Sequence, residues 1–85
     1  MLTDNDRRAI LESRLHGLER EHFEHELNLR IGRRLADNAI ESARAEAQQM
    51  VDDSERAIAI IESTHELLAD ELSRLNGAGE ESRRS

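Results

Sequence analysis

The stretch LESRLHGLEREHFEHELNL, residues 11–29, decides the fold of this 85-residue chain. Leucine or histidine recurs in it at alternating spacings of four and three. These positions form the first seam: Leu11, Leu15, Leu18, His22, His25 and Leu29. Such spacing lines up side chains along one face of an α-helix that packs lengthwise against another helix. The stretch therefore predicts a long, coiled-coil-like α-helix.

A second seam continues in one phase through the C-terminal half of the chain. Its members are Ile40, Ala43, Ala47, Val51, Ser54, Ile58, Ile61, His65, Leu68, Leu72 and Leu75. Thr3 and the acidic residues after it predict a helix start near residue 4, and Asn38 with Glu41 form a capping box before the second helix. Asn76-Gly77 predicts the end of that helix.

We predict an all-α fold, a two-helix antiparallel hairpin with helices at about 4–36 and about 39–76. Residues 77–85 are predicted to form a polar C-terminal tail. The alternative is one unbroken rod, because the chain has no proline and Gly32 costs a helix only about 1 kcal/mol. The similar lengths of the two arms favour the hairpin.

Composition excludes several classes of protein. The chain has 36% charged residues, no cysteine and a net charge of -7, so we expect neither a disulfide framework nor nucleic-acid binding. The longest apolar run has five residues, 57–61, which predicts no membrane span and no signal peptide. The serines lie within helical runs, and the glycines form no phosphate-binding loop. We therefore predict a cytoplasmic or virion-associated protein that is not an enzyme and has no cofactor.

A second apolar face appears on the first helix, largely opposite the first seam. We call this face, Phe23, Leu27, Ile31 and Leu35, the outer strip. One partner helix does not cover both faces, so these four residues are predicted to bind a partner, either another copy or a different protein subunit. On the second helix, Ile60 and Leu67 likewise lie away from the second seam. The alternative is that all these residues form an untidy edge of one core.

The histidines are the main candidates for site chemistry. Glu19 with His22, and Glu62 with His65, each form a Glu-x-x-His pair, the spacing found in di-iron four-helix bundles. A turn near residue 40 would bring Glu19 opposite Glu62 and His16 opposite His65, whereas the preferred turn near 37 offsets them by about six residues. We therefore predict polar seam residues and no metal site, with metal binding or a pH switch as the alternatives.

A resemblance is carried by Arg14-Leu15, Leu18-Glu19, Glu21 and the run from Glu26 to Arg30. This segment, about a third of the chain, resembles the short helical-hairpin proteins of actinobacteria and their phages. The resemblance implies an accessory or virion-associated helical protein. The favoured hypothesis is a structural protein whose helical hairpin mediates assembly, including that of a phage virion. The alternative is an acidic inhibitor or antitoxin-type module that occupies a basic site on its target.

Overall fold

The chain forms two long helices that pack against each other. The computed structural model describes the backbone of residues 1–38 and 40–84, and the side chains of these residues up to Gly77. Helix α1 spans Asp4–Asn38 and α2 spans Glu41–Arg84. Arg8 contacts Asn76 near the chain ends, and Arg33 contacts Glu55 nearer the connection, so the helices are antiparallel. The predicted hairpin is confirmed, and the single rod is excluded.

The start of α1 follows its capping sequence. The Asp6 N–H donates to Thr3 Oγ1 at 3.1 Å, and the Thr3 N–H donates to Asp6 Oδ2 at 3.0 Å. This reciprocal pair satisfies amide groups that have no partner inside the first turn of a helix. The hydrogen bond from the Thr3 amide also lowers the pKa of Asp6. The predicted start near residue 4 is confirmed.

The connection between the helices differs from the prediction. Helix α1 extends to Asn38 rather than ending near 36, and the Asn38 amide donates back to the Arg34 carbonyl at 3.0 Å. Asn38 therefore caps the end of α1, and the predicted capping box with Glu41 is wrong. Residue 39, the predicted first residue of the second helix, lies outside the described residues. Helical hydrogen bonding of α2 begins at Ile40, whose carbonyl accepts from the Arg44 N–H at 2.9 Å.

The predicted end of the second helix is also wrong. Helix α2 continues through Asn76 and Gly77 to Arg84, and Gly77 does not adopt a positive φ. Glycine alone costs a helix about 1 kcal/mol, which does not end a helix that no proline interrupts. The Asn76 side chain instead accepts a hydrogen bond from Arg8 Nε at 2.9 Å. Residues 77–84 of the predicted tail are therefore helical, and residue 85 lies outside the described residues.

The core lies between the two seams and is thin. All six residues of the first seam are half-buried, and the second seam is covered from Ala47 onward. Ile40 and Ala43 are exposed, because they lie beside the connection where α1 ends. Among the described residues, the side chains that are buried in this core are Ala47, Val51, Ser54 and Ile61.

Candidate functional site

The outer strip is the largest apolar feature that the hairpin leaves uncovered on α1. Its side chains remain exposed by 39% to 58%: Phe23 58%, Leu27 39%, Ile31 50% and Leu35 52%. At about 100° per residue, the strip is centred on the side of α1 opposite the first seam, which explains why α2 does not reach it. The strip is thus an apolar surface that the pairing of the two helices leaves uncovered.

Helix α2 carries a smaller exposed apolar surface. Ile60 and Leu67, which we call the outer pair, are 61% and 70% exposed. They lie seven residues apart, two helical turns, and point roughly 130–150° away from the second seam. The outer strip and the outer pair therefore lie at opposite edges of the hairpin.

Charged side chains border the two surfaces differently. Beside the outer strip lie exposed Arg20, Arg30 and Arg34, with Glu24 as the acidic neighbour. Beside the outer pair lie three exposed acids and two arginines: Asp53, Asp70, Glu71, Arg56 and Arg74. The border of the strip is thus basic within an acidic chain, and the border of the pair is acidic.

The two Glu-x-x-His pairs meet across the helix interface. His22 Nε2 contacts Glu62 Oε1 at 3.0 Å, and His65 Nε2 contacts Glu19 Oε1 at 3.4 Å. Together with Leu18 and Ile61 the four residues line one open cleft. Each histidine therefore faces the glutamate of the other pair, an arrangement that we call the His–Glu cluster.

The predicted six-residue offset between these pairs is wrong. Because α1 ends at Asn38 and α2 begins at Glu41, the register brings His22 level with Glu62 and Glu19 level with His65. His65 contacts Glu19 and not His16, which a turn near residue 40 would have brought opposite it and which is exposed on α1.

His22 contacts two carboxylates of the cluster and its surroundings. Its Nδ1 contacts Glu26 Oε1 at 2.5 Å on the same helix while its Nε2 contacts Glu62, and its side chain is 29% exposed. The hydrogen bond with Glu62 raises the pKa of His22, and the charge of Glu26 adds to this effect. Both carboxylates favour the imidazolium form.

The side-chain contacts of the cluster are those of paired helices. In the described part of the chain, no three histidine, aspartate or glutamate side chains are grouped so that they would hold a metal ion. Each imidazole nitrogen that contacts a carboxylate does so at hydrogen-bonding distance. Glu19, His22, Glu62 and His65 thus form hydrogen-bonding contacts between the two helices.

Two further cross-helix contacts were not predicted. Arg8 Nε donates to Asn76 Oδ1 at 2.9 Å, and Arg33 Nη2 donates to Glu55 Oε1 at 3.2 Å. Arg30, Arg33 and Arg34 cluster as cations do near the end of a helix, but α1 continues past them to Asn38. The opposite charges of Arg33 and Glu55 identify this pair only once the register of the two helices is known.

Comparison with known proteins finds no match to this chain among family models, curated proteins or solved structures. Within the described residues, neither helix has an apolar stretch long enough to cross a membrane.

Proposed function

We propose that this chain is a non-enzymatic assembly protein, a helical hairpin that associates with further copies of itself through the outer strip. The proposal rests on the exposure of Leu27, Ile31 and the rest of the outer strip. These residues lie on the side of α1 opposite the first seam, which already packs against α2. Exposed, contiguous apolar surface of this kind marks sites of protein association.

The thin core supports the proposal. Among the described residues, the buried apolar side chains are Ala47, Val51 and Ile61, and none of the large side chains is fully buried. A fully buried leucine, isoleucine or phenylalanine contributes about 1.5–3 kcal/mol. Covering Leu27 and Ile31 with another copy therefore adds stability that the isolated hairpin does not obtain from its own core.

The exposed area supports it as well. The chain exposes 6766 Å², whereas a compact monomer of 9.7 kDa exposes about 5,100 Å². Its dimensions of 67 × 20 × 15 Å show that the excess is spread along an elongated rod of two helices. An interface of ordinary size takes about 800 Å² from each partner. The hairpin thus has enough extra surface for association with other copies.

The resemblance of residues 14–30 to hairpin proteins of actinobacteria and their phages supports placing this assembly in a virion. A role in a virion requires that the chain form an oligomer of defined size.

Light scattering on the wild type and on Leu27→Glu with Ile31→Glu tests the proposal. The wild type is expected to form an oligomer at about 100 µM, and the double variant to be a folded monomer, because two buried carboxylates are costly. The matched control is Ala9→Glu with Ser13→Glu, which adds the same charges at the same spacing on the same side of α1, at exposed positions outside the strip.

The control variant is expected to associate like the wild type. A wild type that is monomeric and cooperatively folded at that concentration contradicts the proposal. So does a control variant that dissociates as completely as the strip variant, because net charge and not the strip would then govern association.

A further inference from the structure

We infer that the outer strip of one copy docks on the outer pair of the next copy, so that the copies associate head to tail. This inference rests on the proposed self-association and specifies its geometry. The outer strip of α1, with its basic border, contacts the outer pair of α2 on a second copy, which has an acidic border.

The positions of the two surfaces exclude a simpler arrangement in which both face the same partner across a two-fold axis. The strip lies opposite the first seam and the pair points away from the second, so they occupy opposite edges of one hairpin. A contact between two different surfaces is heterologous, and repeating it produces a ring or an open chain.

A head-to-tail arrangement uses both exposed apolar surfaces of the hairpin, the outer strip and the outer pair. In a head-to-tail assembly each inner copy contributes two surfaces, one at each edge. A two-fold dimer through the strip alone leaves Ile60 and Leu67 exposed.

Charge favours the strip-to-pair contact over a strip-to-strip contact. Facing strips would bring Arg20, Arg30 and Arg34 of two copies together. A strip facing the outer pair instead meets a border of three acids and two arginines, with a net charge of -1: Asp53, Asp70, Glu71, Arg56 and Arg74. Like charges across an interface select against a pairing, and opposite charges favour it.

The lengths of the two surfaces are compatible. Ile60 and Leu67 are about 10.5 Å apart along α2, and the strip from Phe23 to Leu35 is about 18 Å long. The pair therefore fits within the strip, with its two side chains between those of α1.

A complementation experiment with two variants tests this geometry. The strip variant is Leu27→Glu with Ile31→Glu, and the pair variant is Ile60→Glu with Leu67→Glu. Each variant lacks one of the two surfaces, so each alone is expected to be monomeric. An equimolar mixture retains one intact contact and is expected to form a heterodimer that does not grow further, seen as a doubled mass in light scattering.

The outcomes separate this inference from the proposed function. A pair variant that associates like the wild type overturns the head-to-tail geometry while leaving self-association through the strip intact. A mixture that stays monomeric also overturns it. A wild type that does not associate overturns the proposed function itself.

Folding of the variants is checked by circular dichroism before mixing. Ile60 and Leu67 are exposed, so their replacement is expected to leave the hairpin folded. If the glutamate version of the pair variant fails to fold, Ile60→Ser with Leu67→Ser replaces it, and the same mixture decides the outcome.

Discussion

The half of the hairpin next to the connection and the half that contains the chain ends bury their seams to different depths. Near the connection, small residues face each other, and Ala47 and Val51 are each only 5% exposed. In the other half the larger Leu11, Leu15 and Leu72 remain half-buried. Ala47 and Val51 are therefore buried more deeply than these larger leucines, which points to a closer approach of the two backbones near the connection.

Gly32 explains the close approach. A Cβ atom added at this position would lie 3.0 Å from Val51 Cγ2 and 3.3 Å from the Ala47 carbonyl oxygen. Glycine therefore allows α2 to lie against the backbone of α1. Gly17, in the other half, has nothing within 4 Å of an added Cβ.

The largest expected effect comes from placing a large side chain at Gly32, where the two helices approach each other closely. Gly32→Leu is expected to lower the free energy of unfolding by about 2–3 kcal/mol, because the new side chain has to push the helices apart. Urea unfolding at one fixed protein concentration measures the change. Gly17→Ala is the matched control and is expected to stabilise the protein by about 0.5–1 kcal/mol. Equal destabilisation by both variants would contradict the difference between the two halves.

Truncating one seam side chain in each half sharpens the same comparison. Val51→Ala is expected to cost about 2 kcal/mol and Leu15→Ala about 1 kcal/mol, although leucine loses more atoms. The reason is that Val51 is buried and leaves a cavity, whereas Leu15 is partly in water already. A larger loss for Leu15→Ala would show that the two halves are equally well packed.

The stability of the hairpin is expected to depend on pH through His22 of the first seam. Because Glu62 and Glu26 raise the pKa of His22 in the folded chain, its contribution is fully present below the unfolded pKa of about 6.5. That contribution is lost as pH rises through the folded pKa. Melting temperatures between about pH 6 and pH 8 should therefore fall more steeply for the wild type than for His22→Gln.

His16→Gln is the control for this measurement, because His16 is exposed and lies outside the His–Glu cluster. It is expected to keep the slope of the wild type. Identical slopes for the wild type and His22→Gln would show that the charge of His22 does not stabilise the pairing of the helices.

The smallest expected effect concerns the chain end farthest from the close approach. Thr3→Ala removes the hydroxyl that accepts from the Asp6 N–H, and is expected to cost about 0.5–1 kcal/mol and to fray the first turn of α1. The lowered pKa of Asp6 means that its contribution is present above pH 3.8 and is lost as pH falls through the folded pKa. Amide exchange of residues 4–8 measures the fraying, and unchanged exchange would contradict the role of the cap.

The seams were predictable because helical periodicity is a local property. The spacing of Leu11, Leu15 and Leu18 identifies one face of α1 whatever packs on it. The same periodicity separated Phe23, Leu27 and the rest of the outer strip from that face, and the structure leaves them exposed. Their binding role stays a prediction.

The register was not predictable to within a residue. Asn38 fits the end of one helix as well as the start of the next, and the structure uses it for the former. Because α1 ends at Asn38 and not near residue 36, each residue of α2 lies opposite a different residue of α1 than predicted. That shift decides whether His22 meets Glu62 or a different side chain.

The sequence by itself determined two helices, two seams and a second apolar face, since each follows from spacing at 3.6 residues per turn. Tertiary structure alone decided the pairing of His22 with Glu62 and the contact of Gly32 with Val51. Contacts between the arms depend on where the chain turns and on how closely the helices approach. Those two quantities are set by packing between residues far apart in the chain.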